Sequence, residues 1–258
     1  MNLRNMFAVT AGSILLASAA FAAPPGSGWK EIPGMSDEFN DNRIATGKWH
    51  KNGFTSNNYA WPGAKLWNFT PRAKNIDEVE GKYLKISSYL EENNGKPYTS
   101  GIITSRTKVR YGYFEARMKS APGSLNSAFW LWDIGVGNTY SHELDIQESR
   151  GTGAMWGNHF RVHLHRHQSK EIDERQSWGT DTGIPLGVKI DEGFHIYGSE
   201  WDKDKVRFYF NNYPRWTINH NWMRKQQRLR LSLGVFGQML PDESGESMYV
   251  DWVRSWRK

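Results

Sequence analysis

The sequence predicts an all-β protein built as a sandwich of two antiparallel sheets, and three observations carry that prediction. Short runs of alternating apolar and polar residues recur from Lys82 to the end, each bounded by Gly, Pro, Asn or Asp. Sustained helical periodicity is nearly absent, and the one modest helix candidate is Asn221 to Gln226. Behind the leader about 235 residues remain, a length at which β-sandwiches commonly form one domain with a full core.

The first segment is that leader. Arg4 in a short basic start precedes the apolar run Met6 to Ala19 and then Ala20-Phe21-Ala22, an A-x-A cleavage signature followed by Pro-Pro-Gly-Ser-Gly. The run is shorter than the ~20 residues of a membrane-spanning helix. Residues 1–22 therefore read as a signal peptide and 23–258 as a single mature domain, secreted or periplasmic, with no membrane attachment after cleavage. There is no cysteine, so the exported domain must be held by its core rather than by disulfides. A monomer is the default.

The strands follow in order. Tyr83 to Ile86 precedes the turn-rich Glu92-Asn93-Asn94-Gly95; Gly101 to Ser105 and the clearly alternating Tyr111 to Met118 come next. Ser127 to Trp132, Glu143 to Glu148 and Phe160 to His167 fill the middle of the chain. Phe194 to Trp201, Val206 to Asn211, Arg228 to Val235 and Met248 to Trp256 complete it, with Asn211-Asn212 reading as a hairpin turn before Tyr213.

Composition narrows the partner. The net charge is +6, and aromatics make up 14% of the chain, including 13 Trp. Tryptophan faces stack on sugar rings, and a positive surface draws in an acidic polymer. Basic residues among aromatics also suit single-stranded nucleic acid, but here the positive charges are scattered and no nucleic-acid motif is present, so no nucleic acid partner is expected.

The chemistry is concentrated in Ser141-His142-Glu143-Leu144-Asp145-Ile146-Gln147-Glu148-Ser149. In a strand, residues two apart share a face, so Glu143 and Asp145 point together while Leu144 and Ile146 point into the core. Glu148 has the wrong parity, and a β-bulge of one residue returns it to that face. Three acids on one face repel and raise at least one pKa, a cost without a structural return. A solvated acidic strand or a calcium site is the bland alternative. Two carboxylates astride a glycosidic bond supply a nucleophile and a general acid, held about 5.5 Å apart in retaining enzymes. Glu143 and Glu148 suit those roles, with Asp145 hydrogen-bonded between them and holding or sharing a proton.

These residues resemble glycoside hydrolase family 16, whose active-site strand carries E-x-D-x-E or the bulged E-x-D-x-x-E matched by Glu143 to Glu148. Ser36 to Asn40, Lys48-Trp49, Gly101 to Ser105, Tyr111 to Arg117, Ala128 to Leu131 and Tyr249 to Arg254 extend the resemblance over nearly the whole mature chain. It implies a β-jelly-roll sandwich with a concave substrate cleft and retention by double displacement. Position by position, it makes Glu143 the nucleophile, Glu148 the acid/base and Asp145 the helper. The bulged motif is similar to the branch of agarases, porphyranases, carrageenases and laminarinases. Leu125 to Leu131 and Phe160 to His167 look most like its agarase and porphyranase members.

Trp130 and Trp132 share a face just ahead of the acids; the resemblance makes Trp130 the floor of the subsite beside the nucleophile, and core packing is the other reading for both. Trp61 and Trp67 lie in a loop rich in Asn, Gly and Pro, with Trp67 the next candidate for sugar contact. Arg161, His163, His165 and His167 alternate with Phe160, Val162 and Leu164, so one face is polar. Its readings are hydrogen bonds from Arg161, His163 and His165 to sugar hydroxyls or a sulfate, a zinc site, or a surface strand without a role. Arg72, Arg106 and Arg150 border the expected cleft and suit a sulfate ester, or surface ion pairs. The resemblance also allows a structural calcium ion held by Asp251 and the Glu38 segment; the chemistry requires no cofactor and no metal at the catalytic acids.

The sequence thus reads as a retaining endo-β-galactanase acting on a sulfated or neutral red-algal galactan, porphyran first because of the Arg and His in the cleft segments, agarose next. Kappa-carrageenan, furcellaran and laminarin are the alternative substrates. A lectin-like module on the same sandwich is the non-enzymatic alternative, against which the acid triplet argues.

Overall fold

The computed structural model describes residues 24–51, 66–133, 141–151, 159–167, 175–180 and 183–258. The leader and Trp61 lie outside them. Two antiparallel sheets pack face to face. One has seven strands, in the order Arg175–Gly179, His163–His167, Ser141–Glu148, Leu125–Trp132, Arg228–Val235, Ile102–Ser105 and Trp49–His50. The other runs Tyr213–Asn219, Lys205–Phe210, His195–Trp201, Gly112–Lys119, Ser247–Arg257, Tyr83–Ser87 and Ile76–Val79, with Lys30–Glu31 added beside Ser247–Arg257. Hairpin neighbours alternate with pairs far apart in the chain, such as Gly112–Lys119 beside Ser247–Arg257 and Leu125–Trp132 beside Arg228–Val235, so crossings between the sheets tie them together.

Alternation explains the packing. Leu131, Leu144, Ile146 and Leu231 of the first sheet meet Phe114, Met118, Phe208 and Val253 of the second in one buried apolar cluster. Each such side chain contributes about 1.5–3 kcal/mol by leaving water. The opposite face of the seven-stranded sheet carries a second, smaller cluster of Ile102, Ala128, Trp130 and Trp132, with Phe69 against it.

Turn chemistry was legible. Asn211 and Asn212 both adopt positive φ, 48° and 68°, and join Lys205–Phe210 to Tyr213–Asn219 as the expected hairpin. Asn94 and Gly95, at 49° and 76°, close a hairpin between Tyr89–Asn93 and Lys96–Ser100, strands that alternation alone did not reveal. The short Trp67–Phe69 strand joins them in parallel and sets Trp67 at the margin of the seven-stranded sheet.

Two expectations need correction. Asn221 to Gln226 forms no helix; the segment is irregular, and its Trp222 packs at 4.8 Å from Trp178 and 5.1 Å from His142 while Met223 is buried. Six residues are too few to repay helix nucleation when their apolar side chains are wanted as a plug. Phe160 to His167 is likewise not one strand. His159–Phe160 pairs with Ile184–Pro185, and His163–His167 pairs with the main sheet. At the switch, Val162 N donates to Thr180 Oγ1 and Arg161 N to Gln147 Oε1. The parity survives the break, since Phe160, Val162 and Leu164 all reach the core.

Candidate active site

The acid strand, Ser141–Glu148, pairs with Leu125–Trp132 in a register that places Asp145 opposite Trp130 but Gln147 opposite Phe129. Ile146 is therefore the extra residue of a β-bulge. It stays in the core beside Leu144, and Glu148 recovers the face of Glu143 and Asp145, as the sequence parity required.

Across from the acids runs the strand His163–His167, with His165 opposite Glu143 and His163 opposite Asp145. The side chains do not meet straight across; each acid leans one pair along the ladder. Glu143 Oε2 lies 2.8 Å from His167 Nε2, Asp145 Oδ2 3.0 Å from His165 Nε2, and Glu148 Oε2 3.6 Å from His163 Nδ1. Three carboxylates thus face three imidazoles. The rings of His163 and His165 stack at 5.4 Å and 11°, and His165 Nδ1 sits 2.7 Å from Ser177 Oγ on the next strand. Asn126 Nδ2 donates to Glu148 Oε1 at 3.2 Å, and an Arg150 nitrogen lies 3.4 Å from Glu148 Oε2.

The partners divide the protonation states. Burial pushes the Asp145 carboxyl well above its usual range, and the charges of Glu143 and Glu148 add to this, so Asp145 holds the cluster's proton and shares it toward Glu143. Burial acts in the same direction on Glu143, but the His167 hydrogen bond and the charges of His165 and His167 outweigh it and hold the group below its usual value. For Glu148, burial is overcome by His163, Arg150 and Asn126, which hold the carboxyl down to about 2. Glu148 is also the most accessible of the three, its side chain 19% exposed against 3% for Asp145.

Aromatic residues continue the face. The Trp130 and Trp132 rings lie 6.4 Å apart and 31° from parallel, with Trp130 Nε1 donating to Ser232 Oγ and Trp132 Nε1 to Ser141 Oγ. Trp67 lies against Gly234, where an added Cβ would meet its ring at 2.9 Å, and edge-on to Phe69 at 6.1 Å. Only glycine leaves room for that ring. Sequence reasoning missed Arg230, which is buried beside the tryptophans with its guanidinium 4.8 Å and 4.5 Å from the ring centres of Trp130 and Trp132. Burial pushes it down to about 9. The signal was present in Arg228-Leu229-Arg230-Leu231-Ser232-Leu233, whose alternation puts Arg230 on the tryptophan face.

Other predicted residues fall elsewhere. Arg72 pairs with Glu91 at 3.0 Å, and Arg106 lies 3.1 Å from His50 Nε2. Arg161 is buried and donates to Ser149 O, so it supports the end of the acid strand. His163 and His165 are turned onto the carboxylates rather than into open solvent. The suggested calcium donors do not fit a cation: Asp251 is bound by Arg117 at 2.6 Å, and Glu38 is gripped by Arg254 at 2.7 Å and 2.9 Å. A calcium ion there would sit against two guanidiniums.

The family model described as Beta-porphyranase A-D, GH16 domain, matches residues 29–258. Beta-porphyranase B of Zobellia galactanivorans is 29% identical over 295 aligned residues, covering 100% of this chain and 98% of that protein. The kappa-carrageenase of Pseudoalteromonas carrageenovora is 28% identical over 98% of this chain and 72% of its own length. Among solved structures, porphyranase B from Zobellia galactanivorans superposes with a TM-score of 0.75 at 26% identity, covering 89% of this chain and 92% of the other.

Proposed function

Because the chain belongs to glycoside hydrolase family 16, we propose that it is a retaining endo-hydrolase of a red-algal galactan, porphyran first and agarose next, working as an exported monomer. The observation that carries the mechanism is the bulged acid strand, which brings three carboxylates to one face and gives each a different proton affinity. Glu143, kept ionised by His167, attacks the anomeric carbon as the leaving oxygen takes a proton from Glu148. Glu143 is then esterified to the sugar. Glu148 next removes a proton from water, which attacks the same carbon and restores Glu143, so the configuration is retained.

His163, Arg150 and Asn126 hold Glu148 ionised, so its acid role requires a proton to reach it when sugar binds. Asp145 stores one close by. A bound sugar excludes water around Glu148 and draws Arg150 toward its own oxygens, and both changes raise the Glu148 affinity for that proton. Asp145 meanwhile steadies the charge on Glu143.

Porphyran is favoured over the other galactans by the porphyranase family model and by Arg150 beside Glu148, which complements a sulfate ester. Export rests on the A-x-A leader. The test is reducing-sugar release on porphyran, agarose, kappa-carrageenan and laminarin, with the anomer first released followed by proton NMR. Cleavage of porphyran with initial release of the β-anomer, lost in Glu143→Gln, is expected. Cleavage of another polymer alone overturns the substrate, initial release of the α-anomer overturns the mechanism, and undiminished turnover by Glu143→Gln overturns the assignment of the nucleophile.

A further inference from the structure

The same face holds a donor set of the kind that binds a transition metal. His163 and His165 are two apart on one strand, so both rings stand on the same side. Asp145, on the adjacent antiparallel strand, lies directly opposite His163. One ligand atom from each, two imidazole nitrogens and a carboxylate oxygen, lies within 4.8 Å of the others. All three side chains are buried, at 2%, 1% and 3% exposure for Asp145, His163 and His165.

We propose that Asp145, His163 and His165 form a binding site for one zinc-class transition-metal dication. This rests on the donor geometry and stands independently of which polysaccharide is the substrate.

Four features support the assignment. A tetrahedral ion with bonds near 2.0–2.2 Å wants its donors about 3.3 Å apart. The Asp145–His165 pair, at 3.0 Å, is already at that spacing, and the His163 donor lies within 4.8 Å of both. Ser177 Oγ, 2.7 Å from His165 Nδ1, can accept a proton from Nδ1 and leave Nε2 aimed at Asp145 as a ligand lone pair, the outer-shell contact that metal-binding histidines generally have. Glu143 and Glu148 lie on the same face and flank the site with negative charge that a dication complements. Two nitrogens and one oxygen favour zinc, copper or nickel over magnesium or calcium, which take oxygen donors.

Binding would place the ion between Asp145 Oδ2 and His165 Nε2, now 3.0 Å apart, and displace any proton the ligands carry.

The test is isothermal titration of zinc chloride into the full-length, chelator-stripped protein in two buffers of different ionisation enthalpy. The expected result is one ion per chain, proton release, and no binding of magnesium. His165→Gln and Asp145→Asn, each checked for folding by near-ultraviolet circular dichroism, should weaken binding at least tenfold. Ser177→Ala, which removes one hydroxyl and leaves all three ligands, should weaken it about 10-fold or more. His142→Gln, whose ring packs on Trp222 away from these ligands, should leave it unchanged. Cobalt(II) added to the wild type should give the intense visible bands of a low-coordinate site. Zinc binding weaker than about 1 mM, or tight binding that survives in the folded Ser177→Ala and Asp145→Asn proteins, overturns the proposal.

Discussion

Replacing Glu115 with glutamine removes a carboxyl that the second sheet buries without a close cation. Glu115 is 0% exposed, on the strand Gly112–Lys119, directly opposite Arg254 of Ser247–Arg257. That arginine does not neutralise it, because its Nε and Nη2 are forked onto Glu38. Burial therefore raises the Glu115 pKa from 4.5 to about 7, with Tyr113 and the more distant charge of Arg254 opposing only in part. An acid whose folded pKa exceeds its unfolded value binds its proton more tightly in the native state. Its contribution to stability is fully present below pH 4.5 and is lost as pH rises through about 7. At 1.36 kcal/mol per unit, the loss between those limits is about 3 kcal/mol. Urea unfolding of wild type and Glu115→Gln at pH 5 and pH 8 measures it. The variant should match the wild type closely at the lower pH and exceed it by about 3 kcal/mol at the higher. A difference that does not change with pH would refute both the burial argument and the claim that Glu38 holds Arg254 away.

Other perturbations test the site. His167→Gln removes the contact that holds Glu143 ionised, so the Glu143 pKa should rise and the acid limb of kcat/KM should move to higher pH; an unmoved limb rules out that role. Arg230→Met and Trp132→Ala, combined in a double-mutant cycle read by urea midpoints, should couple by about 1–2 kcal/mol as a desolvated cation–π pair does, whereas additivity would mean that the guanidinium packs without attraction. Leu144→Ala, a core truncation between two acids, should cost about 2–5 kcal/mol of stability by differential scanning calorimetry or urea unfolding.

What the sequence reveals and what it hides divide along one physical line. Glu143, Asp145, the bulge and Glu148 are legible because strand parity is a local property, and a wrong-parity acid beside two right-parity ones asks for an extra residue. Trp130 and Trp132 follow from the same rule. The pairing of each acid with its own histidine is not legible, because it depends on how Ser141–Glu148 registers against His163–His167, strands separated by a segment of chain whose closure nothing local specifies. Parity placed the histidines on the correct face but could not say that they address carboxylates before sugars. The break at Arg161-Val162 escaped for a similar reason: it is set by Thr180, which arrives from another strand. Arg230 obeys the same parity, but which face of its strand carries the tryptophans is set by the register against Leu125–Trp132, where Arg230 lies opposite Trp130.

The diagonal acid–histidine ladder also constrains how such a site can vary. Moving His163–His167 by one residue against the acid strand would turn Leu164 and Arg166 toward the carboxylates and strip all three of their partners at once. Changing one histidine removes one direct acid contact and leaves the other two in place, and the bulge at Ile146 can be kept while the tryptophan side of the face is rebuilt. The proton arrangement therefore belongs to the register of two central strands, and substrate preference to residues such as Trp67 around them, while Arg150, which touches Glu148, takes part in both. Substitution of Trp67 should alter KM and polymer choice while leaving the pH dependence of kcat in place, because its ring lies against Gly234 and Phe69.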